Sequence, residues 1–200
     1  MNSIQRVKSI IISPKTEWQV ISSETTEARD VIMKYILPLA VIAAIASLIG
    51  YWLIGVNMLT LHLSGIRWGI YYGITTLIRA VLVVVIAAFV VDALAPSFGS
   101  EKNFNRSIQL VAYAYTPVLV GGFLAVLPMI SFIGSIFGLY GIYLWYLGLT
   151  PVKNTAPDKR AGYLIVSIIV LIVIYIIIGW LLGLIFMGML GLSMLPSFNI

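Results

Sequence analysis

The sequence has no cysteine and a single histidine, His62. Without cysteine there is no disulfide framework, no thiol nucleophile and no thiolate metal site, and the redox compartment is left open. One histidine cannot build a cluster, and no second metal ligand stands near it. Charge is scarce too: 10% of the 200 residues are Asp, Glu, Lys or Arg, against about 25% in an ordinary soluble domain. The acidic residues fall in loops or at helix ends. No pair of buried carboxylates, no Ser-His-Asp set and no phosphate loop can be assembled from what is there. The expectation is a protein that is not an enzyme and carries no cofactor and no metal. The net charge of +5 is dispersed along the chain, so nucleic acid is not an expected partner.

Apolar residues are abundant: 61% of the chain is hydrophobic, against about 45–50% in soluble domains. A soluble core of this size could not hide so much apolar surface. The chain is therefore read as all-α and membrane-embedded, with membrane lipids as its first partners. A span needs about 20 mostly apolar residues. Five segments qualify, at roughly 32–54, 70–94, 106–127, 130–150 and 163–190. The expected organisation is an amphipathic N-terminal segment over about 1–30 and a five-span bundle over about 31–200.

Basic residues orient the bundle. Arg6, Lys8, Lys15 and Arg29 precede the first span, with Lys34 at its edge. Lys102 and Arg106 lie between the second and third spans, and Lys153, Lys159 and Arg160 between the fourth and fifth. The alternate segments hold only Arg67. The positive-inside rule places the N-terminus in the cytoplasm and the C-terminus outside. The first 30 residues contain no apolar run of signal-peptide length, so the first span is expected to act as the insertion signal.

In "NSIQRVKSIII", Ile4, Val7 and Ile11 fall at helical spacing, with Arg6 and Lys8 beside them. Ser13-Pro14 reads as an N-cap followed by proline at the first helical position. Trp18 and Ile21 share a face of the helix that follows. Two placements are open: short helices on the cytoplasmic leaflet, with Trp18 as interfacial anchor, or a cap packed on the bundle. Further on, Leu59, Leu61 and Leu63 alternate with Thr60, His62 and Ser64, which is a strand period. No pairing partner is evident, so an irregular interfacial segment is expected.

The third span contains "VAYAYTPVLVGG" (111–122). Pro117 cannot donate to the carbonyl of Tyr113, and in hydrocarbon that carbonyl needs another partner. A tight hairpin of spans three and four would place Tyr143 near Tyr113 and Tyr140 near Pro117, so a tyrosine hydroxyl is expected to serve it. Gly134, Gly138 and Gly141 lie near one face of span four, and Gly179 and Gly183 repeat the device in span five. Such faces pack helices closely and could also join a protein partner or a second copy. Tyr113, Tyr115, Thr116, Pro117, Gly121, Gly122, Tyr140 and Tyr143 are thus either fold architecture or the lining of a cavity for a lipid or small solute. Arg79 is the one ionisable residue deep in a span. It lies about 22 Å from the cytoplasmic edge and about 7–8 Å below the outer surface. It either snorkels outward or turns in toward carbonyls near Gly121 and Gly122. Asp92 is expected to be solvated at the cytoplasmic end.

The sequence resembles the YIP (Ypt-interacting protein) family of five-span membrane proteins, and especially its compact prokaryotic members. The resemblance lies in "RVKSIIISPKTEWQVIS", in "VAYAYTPVLVGG" leading into "GSIFGLYGIYLWYLGL", and in "DKRAGYLIVSIIV". It implies a five-helix domain with a cytoplasmic N-terminus in a prokaryotic cytoplasmic membrane. Eukaryotic members are associated with vesicle trafficking and prenylated Rab-type GTPases. Their Asp-Leu-Tyr-Gly-Pro motif is not found ahead of span one, and "GLYG" at 138–141 lies in another context. The expected function is the non-enzymatic organisation of membrane or partner proteins. The alternative is a small channel, transporter or lipid-moving protein with its path between spans two, three and four.

Overall fold

Backbone groups in hydrocarbon must be satisfied internally, and a helix does this within one segment. The computed structural model describes residues 3–58 and 61–189, and regular structure among them is almost wholly helical. Two short helices open the chain, α1 (Ser3–Ile12) and α2 (Pro14–Ser23). Ser13 sits at the N-cap of α2 ahead of Pro14, although its side chain makes no capping bond. A long helix, Ala28–Leu53, then combines α3 (Ala28–Val31), a π-helical turn (Ile32–Ile36) and α4 (Leu37–Leu53). The π turn lies just ahead of Pro38, which cannot donate into the regular ladder. After α5 (Ile66–Leu94) come α6 (Phe104–Ala114), α7 (Thr116–Gly121), α8 (Gly134–Lys153) and α9 (Arg160–Met189).

Among the described residues, three helices can cross a membrane by length and composition: Ala28–Leu53, Ile66–Phe98 and Arg160–Ile177. A fourth is counted if Phe104–Ala114 and Thr116–Val126, bent by 40°, form one span. The bend has a local cause. The helix stops at Ala114 and restarts at Thr116 with Pro117 in its first turn, where a missing N–H is tolerated. α8 is not among these spans. That holds among the described residues, although the helix is 20 residues long.

One expectation is corrected here. Leu61–Leu63 is a strand with a partner, pairing antiparallel with Val56–Met58. The side chains of His62 and Asn57 stand opposite each other and share a 2.7 Å hydrogen bond.

Small residues set the packing. A Cβ at Gly69 would lie 2.6 Å from the carbonyl oxygen of Leu48, and one at Gly73 would lie 3.2 Å from that of Ala44, so α4 and α5 run backbone to backbone. Gly50 lies against the turn after α7, where a Cβ would come within 2.0 Å of the Ala125 oxygen. On α8, Gly141 faces the Ala114 carbonyl and Gly148 faces Leu110 and Trp18.

Candidate functional site

The N-terminal helices are a cap on the bundle. Ile10, Trp18 and Ile21 are buried inside the protein. Trp18, an interfacial anchor in one of the two open placements and part of a packed cap in the other, is 1% exposed. The reason is Gly148: a Cβ there would come 2.8 Å from the indole, so its absence opens the slot that the ring fills. Trp18 also meets Tyr113 edge-on at 6.5 Å. In α1 the inward face is Arg6 and Ile10, flanked by Val7 and Ile11, while Ile4 lies outside.

Arg6 explains that rotation. Its Nη1 donates to Glu17 at 2.5 Å and its Nη2 to the Glu24 carboxylate at 2.5 Å. The guanidinium carbon lies 5.3 Å from the centre of the Tyr113 ring. Burial works against the Arg6 charge, but the Glu24 hydrogen bond and the nearby negative groups outweigh it and hold the pKa above its ordinary value. From Tyr113 the contacts continue inward. Tyr35 packs edge-on against it at 4.8 Å. The Tyr35 hydroxyl lies 2.7 Å from Thr116 Oγ1, at the restart of the broken helix. A cavity of about 230 Å³ opens beside this chain, lined in part by Arg6, Glu24, Asp30, Lys34, Tyr35 and Tyr113. Tyr35→Phe is expected to cost about 1–3 kcal/mol by leaving Thr116 unpaired. Denaturant unfolding in mixed micelles measures this, and unchanged stability would show that the bond contributes nothing.

A second cluster ties the remaining basic segments together. The Lys153 side chain is fully buried, and its ammonium donates to Asp92 at 3.3 Å, Ser107 at 2.8 Å and the Asn103 carbonyl at 3.2 Å. Ser107 in turn donates to Asp92 at 3.0 Å. Burial lowers the Lys153 pKa, and the Asp92 charge opposes that. Asp92 was expected to be solvated. Its side chain is only 14% exposed because a buried ammonium needs a counter-charge. Arg106 donates to the Glu24 carbonyl at 2.9 Å, and Gln109 to that of Thr26 at 3.0 Å. The Tyr163 hydroxyl donates to the Val91 carbonyl.

The residues singled out from the sequence do not converge on one cavity. Tyr113 belongs to the cap cluster and Thr116 to Tyr35. Tyr115 lines an apolar cavity of about 200 Å³ walled by α5, α6, α7, α8 and α9. Pro117 and Tyr140 line another of about 240 Å³ with Ile11. The Tyr140 hydroxyl donates to the Ile11 carbonyl at 2.7 Å, at the end of α1, so it is not spent on the carbonyl that Pro117 leaves. Tyr143 is exposed, its ring tilted by 34° against that of Tyr140 at 5.8 Å. Gly121 lies against the Phe137 ring and Gly122 against Ala43. Gly134 is in ordinary contact with Gly121, while nothing lies within 4 Å of a Cβ built on Gly138. Close packing of α8 therefore falls to Gly141 and Gly148, and the Gly134/Gly138 pair has no part in it. The surroundings of Gly179 and Gly183 lie outside the described residues. Arg79 is exposed and makes no hydrogen bond or ion pair among the described residues. It does not turn inward to Gly121 and Gly122.

Arg6, Glu17, Glu24, Tyr35, Ser107 and Lys153 were not picked out from the sequence. One signal was available: Arg6 stands four residues before Ile10, on the same helical face.

Long apolar helices joined through small residues, with charged groups gathered at one end, define an all-α integral membrane protein. Within that class, the sequence model of the Yip1 domain matches residues 8–181. The chain belongs to the Yip1-domain, or YIP, family. The match takes in most of the cap, Glu17 and Glu24 though not Arg6, the whole Lys153–Asp92 cluster and the described side chains of α9. No curated protein and no solved structure matches the chain.

Proposed function

We propose that this protein is a non-enzymatic, five-span membrane protein that organises partner proteins at a rigid cytoplasmic face. In this reading α8 is the fifth crossing, and the N-terminus, the α5–α6 loop and the α8–α9 loop lie together in the cytoplasm. The observation that carries it is the pair of buried charged clusters. Arg6 with Glu17 and Glu24, and Lys153 with Asp92, weld the three basic segments into one surface. Arg106 links the two clusters. A surface held in this way presents a fixed shape to a partner or to a second copy of the chain. The family's eukaryotic association with trafficking agrees with such a role. The transport reading gains no support, because Tyr113 and Thr116 are joined through Tyr35, Tyr140 bonds the end of α1, and Arg79 is exposed apart from them.

Two assays on full-length protein test the proposal. In liposomes it is expected to leave the bilayer impermeable to small solutes. Amine-reactive cross-linking in native membranes is expected to trap a discrete complex that is lost when Arg6 is replaced by Ala. Solute flux that disappears in an Arg79→Leu variant would overturn the proposal in favour of transport.

A further inference from the structure

We infer that the apolar groove between α5, α6, α7, α8 and α9 holds one acyl chain of a phosphate-bearing membrane lipid, with Arg79 binding its headgroup in the leaflet opposite the basic end. The inference rests on the membrane orientation proposed above and adds a ligand to it. The groove has a volume of about 200 Å³, and Val83, Ala87, Val111, Ala114, Ile142 and Leu171 are among its walls. Arg79, Val83 and Ala87 follow one another at four-residue intervals on α5, so they form a single stripe. The groove floor therefore ends in a guanidinium, about 12 Å along the helix from Ala87. Tyr115 and Tyr175 line the groove and lie within electrostatic reach of Arg79.

A cation at this depth is costly without a counter-ion. Arginine reaches the interface from about one turn below it, which is where lipid phosphates lie, and it meets phosphate with paired N–H donors. An apolar trough that ends in a cation complements an amphiphile with an anionic head. A second copy of the chain fits less well. Its acidic residues, Glu17, Glu24, Glu27, Asp30, Asp92, Glu101 and Asp158, all belong to the opposite end, so none could meet Arg79 in a parallel pair. The groove also depends on Gly138, where nothing lies within 4 Å of a Cβ and an added side chain would occupy the trough.

Native mass spectrometry of the detergent-purified full-length chain tests this with dioleoyl phosphatidylglycerol, dioleoylglycerol and inorganic phosphate as probes. One phosphatidylglycerol per chain is expected. Dioleoylglycerol, and phosphatidylglycerol on the Arg79→Gln variant, are each expected to be held about tenfold more weakly. Millimolar phosphate is expected not to displace the lipid. Gly138→Leu is expected to abolish retention while leaving the elution volume unchanged and the thermal midpoint no lower than that of the wild type, which separates loss of the groove from loss of the fold. Equal retention by both variants, equal retention of dioleoylglycerol, or a wild-type dimer that Gly138→Leu dissociates would each overturn the inference. Neither variant is expected to change the cross-linked complex, so the partner-organising role is judged separately.

Discussion

Replacing Arg6 with alanine is expected to destabilise the protein by about 3–5 kcal/mol, the range for breaking a buried ion pair from one side. Arg6 and Glu17 are both nearly inaccessible, with side-chain exposures of 5% and 8%. Without the guanidinium, the Glu17 carboxylate is left in the protein with no counter-charge, and Glu24 and Tyr113 lose their partner as well. The cap should then loosen, with faster amide exchange throughout α1 and α2. A paired replacement separates charge from packing. Arg6→Met combined with Glu17→Leu removes both ions and keeps apolar volume, so it should recover most of the loss. If the double variant were as unstable as Arg6→Ala, the charged cluster would not be what holds the cap. The pH dependence follows from the raised Arg6 pKa. A raised folded-state value gives stability that is complete below the unfolded value and lost only as pH rises through the folded one. This interaction is therefore in force at all neutral and moderately alkaline pH, and urea titrations at pH 7 and pH 9 should show the same Arg6 contribution.

The second large effect is expected at Gly50. A Cβ there would come 2.0 Å from the Ala125 oxygen and 2.8 Å from that of Val126. Both obstacles are backbone, so no rotamer change relieves them. Gly50→Val must push α4 off the turn that follows α7, at a cost at or beyond the upper end of ordinary overpacking, about 3 kcal/mol. Gly138→Ala is the control. It meets nothing within 4 Å and gains about 0.5–1 kcal/mol of helix propensity. Unfolding of both variants in the same mixed micelles decides the matter, and equal stabilities would contradict the close approach.

The legible part of this fold is what hydropathy controls. Apolar runs of span length mark the long helices to within a few residues, because the need to satisfy backbone groups leaves little choice. Pro117 likewise marks a break that is present as a 40° bend. What the sequence left open depends on pairings between distant residues. An amphipathic helix carrying Trp18 looks the same whether its face meets lipid or protein. What decides is the missing side chain of Gly148, far away in the chain. Arg6 meets carboxylates 11 and 18 positions on, across the break at Ser13 between α1 and α2, where helical periodicity no longer decides which side chains face each other. Val56–Met58 is too short to announce itself as a strand, so its partner Leu61–Leu63 looked solitary. Hairpin register alone assigns Tyr140 to a carbonyl of span three, whereas its hydroxyl donates to Ile11 at the end of α1.

The account turns on the cap being folded into the bundle, away from the leaflet. Tryptophan fluorescence in nanodiscs of brominated phosphatidylcholine tests this directly. Subtracting the spectrum of a Trp18→Phe variant from that of the wild type isolates the Trp18 emission, which should be blue-shifted and as bright as in unbrominated nanodiscs. Quenching of that component by brominated chains would place Trp18 in the lipid and contradict the account.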